Sequence, residues 1–152
     1  MLFCDNKYLV IKSDIEPQVK ARTILPFMSK DEIKDIKKKP FICTENVNFF
    51  IIDKRYGDEY RVLIPKGYTT DIASIPKGFQ WLFGGKANPY FVVCATIHDI
   101  LTEKPYMIDY DRYLSSLIFR ELLISCGYNK AKAQIMFLAV DNFQKLQPKW
   151  KR

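Results

Sequence analysis

The chain has 152 residues, a net charge of +7 and an isoelectric point near 9.2, with 48% apolar, 27% charged and 14% aromatic residues. That length holds one hydrophobic core and leaves no room for a second domain of usual size. The composition is globular, and the single histidine, His98, excludes every site that needs two, such as a His-Glu-x-x-His zinc centre.

In chain order, Lys7 to Lys12 reads as a short strand. Ser29-Lys30-Asp31-Glu32 is a capping box. It opens a short polar helix with Ile33 and Ile36 on one face, stopped before Pro40. Asn46 to Ile52 is rich in β-branched and aromatic residues, Asp53 to Glu59 reads as a loop, and Tyr60 to Ile64 as a second strand. Together they predict an antiparallel hairpin. Pro65-Lys66-Gly67 turns the chain, and Tyr68 to Thr70 is expected to extend the same sheet.

From Ser74 the character changes. Pro76 to Phe83 reads as a short helical or turn segment ended by Gly84-Gly85. Asn88-Pro89 starts a helix to about Thr102, with Asn as cap and Pro in the first turn. Asp109 is placed to cap the next helix, which stops at Gly127 after Cys126. Asn129 caps the last, running to about Leu146 before Pro148, with Ile135, Leu138 and Ala139 on one apolar face broadened by Phe137. The expected architecture is α+β: a small N-terminal antiparallel sheet followed by a three-helix C-terminal half.

Cys4, Cys43, Cys94 and Cys126 are widely spaced and form no Cys-x-x-Cys, which argues against a zinc ribbon or a thioredoxin-type motif. Free thiols in a reducing cytosol are the expectation. Met1 to Asp5 shows no basic segment leading into an apolar run, so no secretory signal is expected. The longest stretch without charge, Ala87 to His98, is short of the ~20 residues a membrane helix needs. Up to Pro76 there are 13 basic and 11 acidic residues, and beyond it 11 and 6. The basic excess, including Lys37-Lys38-Lys39 and Lys149, Lys151 and Arg152, reads as a solvated surface. Its alternative is weak non-specific attraction to nucleic acid.

Two places hold candidate chemistry. His98-Asp99 sits among Ile97, Ile100 and Leu101, and adjacent helical residues point ~100° apart. The pair reads either as a structural hydrogen-bond node or as a metal ligand or acid–base pair, since a buried imidazole and carboxylate need partners. Asp71, in the segment Gly67 to Pro76, reads either as a turn or cap residue or as a site residue that, with Ser74, meets His98 across a cleft. Cys94 lies one helical turn before His98. It reads either as a thiolate nucleophile or as a buried structural thiol. Pro-Cys-x-x-Cys, Gly-Lys-Ser/Thr and Gly-x-Ser-x-Gly motifs are all missing.

The segment Ile64-Pro-Lys-Gly-Tyr-Thr-Thr-Asp-Ile-Ala-Ser-Ile-Pro76, taken with His98-Asp99, resembles the phage and prophage family of unknown function typified by Gifsy prophage proteins. The resemblance covers about residues 60–146 and carries over Thr70, Asp71, Ala73, Ser74, Ile75, Pro76, His98 and Asp99. It departs at Ser116, where the family pattern has an aspartate. It makes residues 1–45 an N-terminal extension ahead of a core unit at 46–152 in one globular body.

The resemblance implies a phage setting, in the host cytoplasm or the virion, with other virion proteins or a host factor as partners. It leaves two functions open. One is an accessory or virion-associated protein in which Asp71, His98 and Asp99 form a structural network. The other is a small metal-assisted hydrolase acting in host lysis, envelope penetration or counter-defence. There Asp71, His98 and Asp99 would hold a divalent metal, with Ser74 as a further catalytic candidate.

Overall fold

A computed structural model describes residues 1–71, 78, 89–103 and 112–147. The expectations at Ser74, Asn88, Asp109 and Pro148, and that for Pro76 to Gly85 except at Gly78, lie outside these residues.

The architecture is α+β, as the sequence predicts. Strands β1 (Leu2–Asp5), β2 (Leu9–Ser13), β5 (Val47–Asp53) and β6 (Asp58–Ile64) form an antiparallel sheet in the order β1-β2-β5-β6. A second antiparallel sheet, β3-β4-β7, is made of β3 (Val19–Ala21), β4 (Phe41–Cys43) and β7 (Thr69–Thr70). Helix α1 (Lys30–Lys38) precedes β4, and α2 (Pro89–Thr102), α3 (Arg112–Ser125) and α4 (Lys130–Lys145) follow the sheets.

Alternation sets the buried face of the larger sheet. In β5, Val47, Phe49, Ile51 and Asp53 point inward while Asn48 faces solvent. The register aligns Cys4, Ile11, Ile51 and Tyr60 in one row across the four strands, and Ser13, Phe49 and Val62 in the next. These inward rows join Phe91, Ile97, Leu114, Ile118 and Phe119 of the helices in one core. Helix α2 is buried on nearly every side, α3 packs beside β1, and α2 lies against β3.

Three sequence expectations change. First, β7 does not extend the larger sheet; it pairs with β4 in the second one. The turn at Pro65–Tyr68 redirects the chain, closed by the Tyr68 N–H on the Pro65 carbonyl (3.0 Å) with Gly67 at φ +92°. Second, the hairpin loop is shorter than Asp53 to Glu59. Asp53 and Asp58 pair in the ladder, leaving residues 54–57 as the connection. Third, Ile135 and Leu138 are exposed on α4, and Ala133, Met136, Phe137 and Val140 are the buried set. Two apolar stripes run along this helix, and packing on α3 selects one of them.

The local signals hold. The Ser29 side chain accepts the Glu32 N–H, and Ile36 is the buried residue of α1. Asn129 accepts from the Ala131 and Lys132 N–H groups. Gly127, at φ +93°, ends α3 with the Tyr128 N–H on the Leu123 carbonyl and its own N–H on that of Ile124. Residues 1–45 supply β1 to β4 and α1, so the N-terminal stretch is woven into both sheets. Among the described residues no helix is long and apolar enough to cross a membrane.

Candidate functional site

His98 and Asp99 lie near the end of α2 and look in different directions. The Asp99 carboxylate faces the second sheet. Its Oδ2 accepts from the Thr70 hydroxyl at 2.5 Å and lies 3.1 Å from the Tyr68 hydroxyl. Just past the end of α2, Glu103 Oε1 accepts from the same Tyr68 hydroxyl at 2.6 Å. The turn at Gly67 and the β4–β7 pairing hold Tyr68 and Thr70 in place: the Cys43 N–H donates to the Tyr68 carbonyl at 2.8 Å.

His98 is fully buried, and its ring packs on Phe119 of α3 at 5.0 Å between centroids. Asp71 follows β7 directly and is half-buried. Ser74, the fourth candidate, lies outside the described residues.

The electrostatics of this node follow from its packing. Burial pushes the Asp99 carboxyl above the usual carboxylate range, and the negative charges of Glu103 and Asp71 push the same way. The hydroxyls of Thr70 and Tyr68 oppose them by donating to the ionised form. Burial, together with the two carboxylates, also raises the Tyr68 phenol. Asp71 therefore shares the electrostatic neighbourhood of Asp99. Among the described residues, no three His, Cys, Asp or Glu side chains converge on a point that could hold a metal ion.

Two neighbouring polar groups complete the picture. Ser116, where the resemblance expects an aspartate, is buried on α3, and its hydroxyl lies 3.2 Å from Asp141 Oδ1 of α4. Arg112 pairs with the same carboxylate. A carboxylate is thus present beside position 116, supplied by the next helix. Cys94 sits against Cys126, with the two sulfurs 3.5 Å apart. The hydrogen bond to Cys126 and burial push the Cys94 thiol above its ordinary range, so it rests protonated against Cys126.

Two cavities open elsewhere. One, of about 490 Å³, lies between β1 and α3 and is lined by Phe3, Cys4, Arg120, Glu121 and Lys130 among others. The second, of about 190 Å³, shares Asn6, Arg120 and Glu121 with it and is lined further by Tyr8, Arg55 and Tyr113. Neither is lined by Asp71, His98 or Asp99.

Sequence reasoning missed Tyr68, Glu103 and Cys126. Glu103 was findable, because it stands four residues after Asp99 on the same helical face. Tyr68 and Cys126 meet their partners across the fold, and spacing carries no signal for that.

An α+β chain with a buried carboxylate node between its second sheet and its central helix is the class these features define. Residues 49–140 match the family described as protein of unknown function (DUF1353), over more than half of the chain, and the chain belongs to that family. No curated protein and no solved structure matches it.

Proposed function

We infer that the chain is a phage- or prophage-encoded accessory or virion-associated protein in which Asp71, His98 and Asp99 serve the architecture. The phage setting rests on the Thr70 to Pro76 and His98-Asp99 motifs. One observation carries the structural role. Asp99 is clasped by Thr70 of β7 and by Tyr68 just before it, joining the central helix to the second sheet. The partners on this reading are other virion proteins or a host factor in the host cytoplasm, with nucleic-acid contact limited to weak, salt-sensitive attraction by the +7 net charge.

Mass spectrometry of purified particles tests the virion assignment: the protein is expected at stoichiometric level, and its absence removes that assignment. His98→Ala is expected to lower the melting temperature while phage function survives at permissive temperature. A folded variant without function would overturn the architectural role.

The second reading is a metal-assisted hydrolase with Asp71, His98 and Asp99 as ligands of a divalent metal and Ser74 nearby. The crowding of Asp71 and Glu103 on Asp99 favours it, since a divalent cation relieves such repulsion. Calorimetric titration with Mn²⁺ separates the two. Saturable binding lost in Asp71→Asn supports the hydrolase, and no binding by the folded chain removes it.

A further inference from the structure

Helix α2 and the end of α3 meet at a pair of thiols that the architecture of the Asp99 node does not use. Cys94 lies in the middle of α2 and is 1% exposed. Cys126 is the residue after α3, is half-buried, and precedes Gly127 at φ +93°. Their sulfurs are 3.5 Å apart and share one S–H hydrogen bond. All four cysteines are reduced, and the other two sit in different surroundings. The Cys4 sulfur lies 3.5 Å from the Leu9 carbonyl and 3.9 Å from Glu121, and Cys43 is buried in β4.

The two thiols are unequal. The hydrogen bond shared with Cys94, with help from Ser125, lowers the Cys126 thiol to about 7, whereas the Cys94 thiol is pushed up. Burial holds Cys4 and Cys43 at about 11. Thiolate character and access thus coincide at Cys126, the combination that selects the oxidised cysteine. A disulfide needs the sulfurs at ~2.05 Å, an approach of roughly 1.5 Å. Cys94 is fixed by the ladder of α2. Cys126 is on the last rung of α3, its N–H on the Leu122 and Leu123 carbonyls, so the approach falls to rotation of its half-buried side chain.

We propose that Cys126 and Cys94 form a dithiol oxidised by hydroperoxides, Cys126 reacting first and Cys94 resolving it as an intrachain disulfide that ties α2 to the end of α3. The Cys126 sulfur attacks a peroxide oxygen, the O–O bond breaks, and the released hydroxide or alkoxide takes a proton. The sulfur is oxidised by two electrons to the sulfenic acid and the peroxide is reduced by two. The Cys94 sulfur then attacks the Cys126 sulfur. The S–O bond breaks, the S–S bond forms, and the Cys94 proton leaves with the hydroxyl as water. With hydrogen peroxide the balance is two thiols and one peroxide to one disulfide and two waters. A resolving thiol already in contact keeps Cys126 from further oxidation.

The test treats the reduced full chain with stoichiometric hydrogen peroxide, caps remaining thiols with N-ethylmaleimide and maps the peptides by mass spectrometry. The expected product is one peptide pair joined through Cys94 and Cys126, with Cys4 and Cys43 alkylated. Cys126→Ser is expected to lose the linked pair and slow peroxide consumption at least tenfold. Cys94→Ala is expected to accumulate a dimedone adduct at Cys126. Should Cys94→Ala fail to fold, Cys94→Ser, which keeps a group of similar size, is expected to give the same adduct. The proposal is overturned if no Cys94–Cys126 link forms, or if Cys4 or Cys43 is oxidised as fast as Cys126.

Discussion

Two aspartates show how opposite environments give one side chain opposite roles. Asp53 is 1% exposed and is met from both sides by one residue. The Arg55 guanidinium donates to Oδ1 and Oδ2 at 2.9 Å each, and the Arg55 backbone N–H donates to Oδ1 at 3.0 Å. Those bonds hold the Asp53 carboxyl below the usual range. Its contribution is therefore present above the unfolded value of about 3.9 and is lost as pH falls through the lower folded value. Asp53→Asn is expected to cost about 2–3 kcal/mol at pH 7, read by urea unfolding, with the difference shrinking toward pH 3. Arg55 also lies over the Tyr113 ring at 5.5 Å, so the loss would loosen the hairpin's hold on α3.

Asp99 is the reverse case. Tyr68 has one hydroxyl proton for two carboxylates, at 2.6 and 3.1 Å, and Thr70 supplies Asp99 with another, so the buried charge of Asp99 is partly offset while Glu103 crowds it. With the folded value raised above the unfolded one, the contribution of Asp99 is full at low pH and is lost as pH rises through the folded value. Asp99→Asn removes the buried charge and keeps an oxygen that accepts from Thr70 and Tyr68. It is expected to stay within about 1 kcal/mol of the native chain at pH 7, and to flatten the fall in stability above pH 4. A loss above about 2 kcal/mol would show that the carboxylate itself is required.

At the scale of elements, legibility followed range. Ser29, Asn129 and Gly127 act on backbone groups within five residues, so their roles stood in the sequence. Strands β3 and β4 are three residues each and exist through pairing with segments far along the chain. No periodicity can be read from three residues, so both were missed. The reading of α4 failed for another reason: Ile135 and Leu138 are as apolar as Met136 and Val140, and the choice between the stripes belongs to α3. For the candidate site, the motifs single out Asp71, His98 and Asp99 as residues to look at. That His98 turns to Phe119 while Asp99 turns to Thr70 is tertiary information.

The turn that delivers Tyr68 to Asp99 is itself testable. A Cβ at Gly67 would meet no atom within 4 Å, so the penalty for adding one is conformational and not steric crowding. Gly67→Ala is expected to cost about 1–2 kcal/mol by thermal unfolding, and Gly67→Asn less, because asparagine tolerates positive φ better. Equal losses in both variants would place the cost elsewhere.

On the scale of the molecule, the family match begins at residue 49, yet the core begins with Cys4, Leu9 and Ile11. Deleting residues 1–13 removes β1 and β2 and exposes one edge of β5. Loss of Leu9 and Ile11 alone forfeits roughly 3–6 kcal/mol of burial, against a usual total of about 5–15 kcal/mol. The truncated chain is expected to lose cooperative unfolding and near-ultraviolet circular dichroism. A sharp transition in that chain would show that the matched region folds alone.

The sheet order also sets a schedule for synthesis. Leu9 pairs with Asp53 and Ser13 with Phe49, while β5 in turn needs β6, ending at Ile64. At about 5–20 residues per second, residue 64 leaves the ribosomal peptidyl centre roughly 3–10 s after residue 13. Through that interval β1 and β2 form at best a two-stranded hairpin, marginal in water, with Leu9 and Ile11 uncovered and one strand edge open to any neighbouring chain. The nascent chain's most adhesive moment falls before β5 and β6 emerge, and slowed translation between residues 13 and 47 would lengthen it.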